Sequence, residues 1–422
     1  MTLPAPQLES LRTMTRDVWL LFATRCLRLF GYGLLSVILV LYLVEVGITK
    51  ADIGLLISLT LIGDTIVSLW ITTTADRTGR RRMLMVGALL MFLAGAVFAL
   101  THNYWLLLAA ATIGVISPSG NEVGPFLSIE QASLAQTIPH DRRTAVFAWY
   151  NLVGSFATAT GALVGGGTVW LLKYLNWSPL DCFRVVIFIY AAIGLTLILL
   201  FLLVSPAVEI AKTDAKPSVP LLLGLHKSKR VVFKLSALFS LDAFAGGFVL
   251  QGFVAYWFII KFPHQVNEAT LGGIFFGANI LAGISALAAV PLAKKIGLIQ
   301  TMVYTHIPSN LLLILVPLMP NLPLAITMLL LRFSISQMDV PTRQSYTMAV
   351  VDPDERSAAS GITAVARSAG ASISPSLAGL LLAASPVSVL FNGIFYLGGG
   401  LKIVYDLLLY RSFKRSRPAE ER

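Results

Sequence analysis

The chain has 422 residues, 56% of them hydrophobic and only 13% charged, against roughly a quarter charged in an ordinary soluble domain. That deficit, with a mean hydropathy of +0.79, excludes a water-soluble globule. The formal charge of +11 sits in short loops between apolar runs, so it argues against nucleic-acid binding and for basic loops on the cytoplasmic side of a lipid bilayer.

Residues 1–17 hold Glu9, Arg12, Arg16 and Asp17 without the short apolar region and small-residue cleavage site of a signal peptide, and are expected to form a cytoplasmic N-terminus. Apolar runs long enough to cross about 30 Å of hydrocarbon then recur about twelve times. They are placed near 18–44, 53–74, 83–101, 104–135, 144–172, 183–204, 231–260, 270–293, 298–318, 322–350, 357–383 and 387–409. The one long polar connection, 205–230, divides two bundles of six helices expected at 18–204 and 231–409, and a basic tail follows at 410–422. Cys26 and Cys182 fall within or beside apolar segments, so neither a disulfide framework nor a metal cluster is expected.

Lys and Arg concentrate on alternate loops, including Arg80 to Arg82, Arg142 with Arg143, the central connection and the tail, whereas the opposite side has Lys50, Lys173, Arg184 and Lys261. By the positive-inside rule both termini are cytoplasmic, in the plasma (inner) membrane. The halves also read as copies. The segment Val123-Gly-Pro-Phe-Leu-Ser-Ile-Glu-Gln-Ala precedes Asp339-Val-Pro-Thr-Arg-Gln-Ser by about 214 to 216 residues, pairing the fourth span with the tenth. Such internal duplication is a mark of transporters.

Between the second and third spans stands Thr72-Thr-Thr-Ala-Asp76-Arg77-Thr-Gly79-Arg80-Arg81-Arg82. It resembles the signature loop of the major facilitator superfamily in spacing and in position, and with the duplicated spans and central basic loop the resemblance covers nearly the whole chain. The resemblance implies an all-α membrane fold of twelve helices in two pseudo-symmetric bundles. It implies that Asp76 faces the start of the eleventh span, where a helix N-terminus carries about half a positive charge. Asp76, Arg77, Gly79 and Arg80 would then act as a conformational latch. The drug:proton antiporter branch has a fifth-span signature of spaced glycines, which Gly161-Ala-Leu-Val-Gly165-Gly-Gly partly resembles.

An ionisable side chain deep in a bilayer costs at least about 2.5 kcal/mol on insertion scales, so it is expected to face a partner or a cavity. Such groups cluster on the spans that line the central cavity in that superfamily: Arg25 and Arg28 on the first, Glu122 and Glu130 on the fourth, Asp242 on the seventh, and Arg332, Asp339 and Arg343 on the tenth. Counted at about 1.5 Å per residue, Arg25 and Glu130 lie about 10 Å deep, Arg28 about 15 Å and Glu122 about 20 Å, which allows the crossed pairs Arg25–Glu130 and Arg28–Glu122. Asp339 and Arg343 share one helix face, with Asp242 at similar depth as a like-charge neighbour. Substrate and proton roles are expected for Arg28, Glu122, Glu130, Asp242, Arg332 and Asp339. Arg25, Asp64, Arg343 and Arg367 are secondary candidates, and Lys402 with Asp406 reads as an i,i+4 pair on the last span. Two prolines near Glu122, Pro118 and Pro125, are expected to break the fourth span.

No catalytic, zinc or nucleotide motif is present, and no cofactor is expected. The sequence therefore points to a monomeric secondary transporter, exporting small amphipathic organic compounds and coupled to protons. The alternative is uptake or exchange of an organic anion gripped by Arg28 and Arg332.

Overall fold

A computed structural model of the chain describes residues 15–118, 120, 126–138, 143–209, 225, 227–352 and 355–414. Among them every regular element is helical. The first half holds α1 (Arg16–Glu45), α2 (Lys50–Thr78), α3 (Arg80–Leu100), α4 (Tyr104–Ile113), α5 (Phe126–Thr137), α6 (Arg143–Tyr174) and α7 (Pro179–Leu203). The second holds α8 (Lys229–Gly247), α9 (Gln251–Lys261), α10 (Glu268–Ile296), α11 (Leu298–Leu315), α12 (Leu322–Phe333), α13 (Asp339–Ala349), α14 (Arg356–Leu382) and α15 (Gly393–Phe413).

Helix ends follow local chemistry. Asn103 starts α4 by accepting from the Trp105 and Leu106 amides, and Asn321 starts α12 by accepting from the Leu324 amide. Ser178 caps α7, whose first residue is Pro179. Gly79 and Gly297, at φ of 111° and 93°, make the turns before α3 and α11. Only glycine takes such angles without strain, which gives Gly79 of the signature loop a definite structural task.

Among the described residues nine helical stretches are long and apolar enough to cross a membrane. The other expected spans differ in form. The fourth leaves helical form after Ile113, the described residues 114–118 and 120 being non-helical, in keeping with Pro118, and Phe126–Thr137 is helical again. The tenth is expected as one helix but breaks at Ser334–Met338, just ahead of Pro341 in the first turn of α13, which has no amide for the Gln337 carbonyl. There the Ser334 hydroxyl donates to the Leu331 carbonyl at 2.7 Å and the Gln337 amide donates to Ser285 Oγ at 3.3 Å, so side chains compete for backbone partners. The eleventh, α14, is a continuous helix rich in Ala, Ser and Gly.

The helices gather in two compact units. The first comprises Met1–Val46, Gly63–Ala215 and Glu268–Phe276; the second comprises Gly47–Ile62, Lys216–Asn267 and Gly277–Arg422. The start of α2 thus belongs with the second unit and the start of α10 with the first. Glycines permit both attachments: a Cβ at Gly54 would lie 2.4 Å from the Pro375 carbonyl, and one at Gly166 would lie 2.1 Å from the Glu268 carbonyl.

Each unit also has its own close crossing. A Cβ at Gly33 of α1 would sit 2.1 Å from the Thr158 carbonyl of α6. Its counterpart in the repeat, Gly247 of α8, faces Ser374 Oγ of α14 at the same 2.1 Å. Each unit also has its own apolar cluster: Leu21, Phe22, Leu134 and Tyr150 in the first, and Phe239, Met302, Tyr346 and Tyr405 in the second.

Candidate functional site

In the first unit the described charge centre is the pair Arg28 and Glu130. Arg28 of α1 grips Glu130 of α5 with both terminal nitrogens, Nη1 to Oε1 at 2.8 Å and Nη2 to Oε2 at 2.7 Å, and both side chains are 0% exposed. Thr24 donates to the same carboxylate at 3.0 Å, and the Tyr150 hydroxyl donates to it from α6. The Arg28 guanidinium lies over the Phe126 ring, 4.5 Å from its centroid. A bidentate, fully satisfied pair of this kind is among the strongest that a buried site can hold.

The crossed pairing expected between α1 and the fourth span is corrected here. Arg25 does not meet Glu130; its Nη2 donates to Asn151 Oδ1 at 3.2 Å and its guanidinium covers the Tyr150 ring at 4.2 Å. The reason is a slot at Gly154, where a Cβ would fall 2.8 Å from Arg25 Nε. With Arg25 drawn into that slot, Glu130 is left to Arg28, one turn further along. Glu122, the other half of the expected crossing, lies outside the described residues.

In the second unit the charge centre is shared. Asp242 of α8 accepts from Lys402 Nζ of α15 at 2.5 Å, from Arg343 Nη1 of α13 at 3.2 Å and from Arg367 Nη1 of α14 at 3.3 Å. Arg343 Nη1 also donates to Asp339 at 2.9 Å, so one nitrogen bridges the two carboxylates. Arg343 and Asp339 meet at the i,i+4 spacing read from the sequence. Arg367 alone among these five is substantially exposed, its side chain at 34%. Asp242 can thus trade one cation for another without being left bare, which a closed pair cannot do.

Lys402 and Asp406 do not form the ordinary pair expected of them. α15 packs against both α8 and α11, and each claims one member. Lys402 reaches Asp242, while Asp406 takes His306 Nδ1 at 2.9 Å and Asn310 Nδ2 at 3.2 Å from α11.

The remaining predicted residues are placed individually. Arg332 ends α12 with its guanidinium 4.9 Å from the Phe333 centroid, and its buried Nε has no hydrogen-bond partner among the described residues. Asp64 is half-buried on α2. Asp76 and Arg77 lie near the end of α2, with their side chains outside what is described. Gly79 and Arg80 of the signature loop belong to a network at the start of α3. Glu209 accepts from the Arg80 amide at 2.7 Å and the Arg81 amide at 3.1 Å, and Arg80 Nη1 donates to Gln136 at 2.9 Å. A carboxylate on the first free amides of a helix is held by both hydrogen bonds and dipole.

Sequence reasoning missed Glu209, Asn151, His306 and Asn310. Glu209 falls in the polar connection, where no periodicity singles it out. Asn151 looks like an ordinary span residue. His306 was weighed only for metal spacing; its position within an apolar run was the usable signal.

An interrupted-helix bundle with charges bridging spans seven, ten, eleven and twelve is the architecture of a solute carrier. The chain matches the family model of the Major Facilitator Superfamily over residues 21–375. It belongs to that superfamily, and is a multi-pass membrane transporter rather than an enzyme. An uncharacterized membrane protein of Saccharomyces cerevisiae is 34% identical, the alignment covering 94% of this chain and 93% of the yeast protein. The quinolone resistance protein NorA of Staphylococcus aureus is 25% identical over 153 residues, 36% of this chain and 38% of NorA. The solved nucleoside transporter NupG shares the fold at a TM-score of 0.73 and 16% identity, covering 95% of this chain and 100% of NupG. A bacterial homolog of the human lysosomal transporter Spinster gives 0.73 at 15% identity, covering 94% and 96%.

Proposed function

We propose that the protein exports small amphipathic organic compounds across the plasma membrane by alternating access, driven by protons, as a monomer with both termini in the cytoplasm. The observation that carries this reading is the shared cluster on Asp242. Three cations compete for one carboxylate within apolar helices, so a proton or a charged solute that changes the local balance changes which bonds are made. The apolar character of the solute is supported by an open groove of about 680 Å³ on α1, α6 and α7, lined by Cys26, Phe30, Trp149, Phe156 and Thr160. NorA, by its name a quinolone resistance protein, lends the export direction further support. The signature loop supports Asp76 as a latch acting together with Gly79 and Arg80, its neighbours on the Glu209-capped turn.

Uptake or exchange of an organic anion is the second reading. Its original grip, Arg28 with Arg332, is weakened because Glu130 takes both terminal nitrogens of Arg28; Arg332 and the partly exposed Arg367 favour the reading in its place. A screen of cationic, neutral and anionic compounds on proteoliposomes with an imposed pH gradient tests both. Export of amphipathic cations predicts gradient-driven movement of cationic dyes that falls roughly tenfold or more in Asp242→Asn. Gradient-driven movement confined to organic anions would replace the first reading with the second, and solute movement indifferent to any gradient would overturn both.

A further inference from the structure

Beneath the Asp242 cluster lies a second set of ionisable groups that the transport reading does not use. His306 and Asp406 are 4% and 0% exposed. With Nδ1 donating to Asp406 Oδ1, the ring keeps Nε2 as the lone-pair site for a proton. Beside them Asn310 Oδ1 and Ser309 Oγ are buried without a hydrogen-bond partner among the described residues. Uncommitted acceptors next to a titratable ring are what a relayed water or hydronium ion requires.

The groups that face this pair come from four helices. α15 presents Lys402, one turn before Asp406, and Tyr405, whose ring stands edge-on to His306 at 6.1 Å. α8 presents Asp242, within electrostatic reach of the imidazole. α13 and α14 present Asp339, Arg343 and Arg367, all engaged with or through Asp242. With His306 neutral, Arg343, Arg367 and Lys402 stand against Asp242, Asp339 and Asp406, three charges against three.

The geometry points to the His306–Asp406 pair as a proton-binding site that is coupled, through Lys402, to the cation set on Asp242. A hydronium ion gives its proton to Nε2, forming the N–H bond and leaving water, and the imidazolium then occupies Asp406 as its counter-ion. Lys402 loses the field of Asp406 and leans wholly on Asp242. The bond that yields is the one at the edge, from Arg367, whose 3.3 Å contact is the longest of the three and whose side chain is the most exposed. Protonation at α11 and α15 thereby adds positive charge where a solute can meet it, repelling a cation and attracting an anion. Neither helix was among the cavity-lining spans expected to carry the proton.

The inference rests on proton coupling as proposed above, yet its first test needs no solute. The full chain labelled with 15N-histidine, in lipid nanodiscs, is titrated across roughly pH 5 to 8. One imidazole is expected to carry a persistent Nδ1–H in its neutral form and to gain a proton on acidification; that signal vanishes in His306→Gln and shifts in Asp406→Asn. A His306 ring that holds one protonation state throughout overturns the proposal, and the two variants guard against loss of folding in either. In the second test ethidium accumulation is measured in proteoliposomes with and without an acidic lumen. The ratio of driven to undriven uptake should be roughly tenfold in the wild type and fall toward one in His306→Gln. A wild type indifferent to the gradient counts against the coupled reading of the whole transporter. A responsive wild type matched by an equally responsive His306→Gln counts against this site.

Discussion

Arg28 with Glu130 in the first unit and Asp242 with Arg343 in the second each tie an early helix to a later one by a buried pair, with the charges exchanged between Arg28 and Asp242, 214 residues apart. The first span gives the cation in one unit and the seventh gives the anion in the other. What surrounds them differs more. Glu130 has one guanidinium and two hydroxyls and is complete, whereas Asp242 has three cations and shares one with Asp339. Each unit thus carries a buried pair of opposite polarity, one made with a single guanidinium and the other shared among three cations.

The contrast can be broken most severely at the two pairs themselves. Glu130→Ala should cost about 3–5 kcal/mol, because it strands a buried guanidinium, while Arg28→Met with Glu130→Met should recover most of that loss. Thermal unfolding in detergent measures both, and a double variant no more stable than the single would make the pair more than a fastener. Asp242→Asn leaves Arg343 with Asp339 but strands the buried Lys402, and should cost a similar amount, about 3–5 kcal/mol. The next effect compares the two glycine crossings. Gly33→Ala meets a backbone carbonyl and should cost about 1–3 kcal/mol. Gly247→Ala meets the Ser374 hydroxyl, which can turn away, and the Ala371 carbonyl at 2.8 Å, which cannot, and should cost somewhat less than Gly33→Ala in the same assay. The smallest effect lies outside the comparison and calibrates it: Glu209→Gln keeps the shape of the α3 cap but removes its charge, and should cost about 0.3–1 kcal/mol, less at high salt.

Much of this was legible in the residues themselves. Apolar run length gave the multi-span helical class, of which nine stretches stand among the described residues as long enough to cross a membrane, and the Asp76 to Arg82 loop gave the superfamily. The i,i+4 spacing gave Asp339 with Arg343, because both lie on one helix and their separation is set by its pitch. Partners on different helices were not legible. Depth alone put Arg25 opposite Glu130, but a side chain as long as arginine spans more than one turn, and the slot at Gly154 decided the matter. In the same way Lys402 and Asp406 satisfied a helical rule that two neighbouring helices overrode. The break at Ser334–Met338 had a usable signal in Pro341, the counterpart of Pro125 in the repeat, which the reading of the tenth span as one helix left out of account.

That break bears on how the protein is made. The 12 residues of α12 reach only about 18 Å at 1.5 Å per residue, well short of the hydrocarbon thickness. A nascent segment ending near Phe333 would make a poor stop in the translocon, and its uncoiled continuation cannot be left among acyl chains. This stretch therefore has to enter the bilayer together with helices that shield it, making it a late and cooperative step of biogenesis.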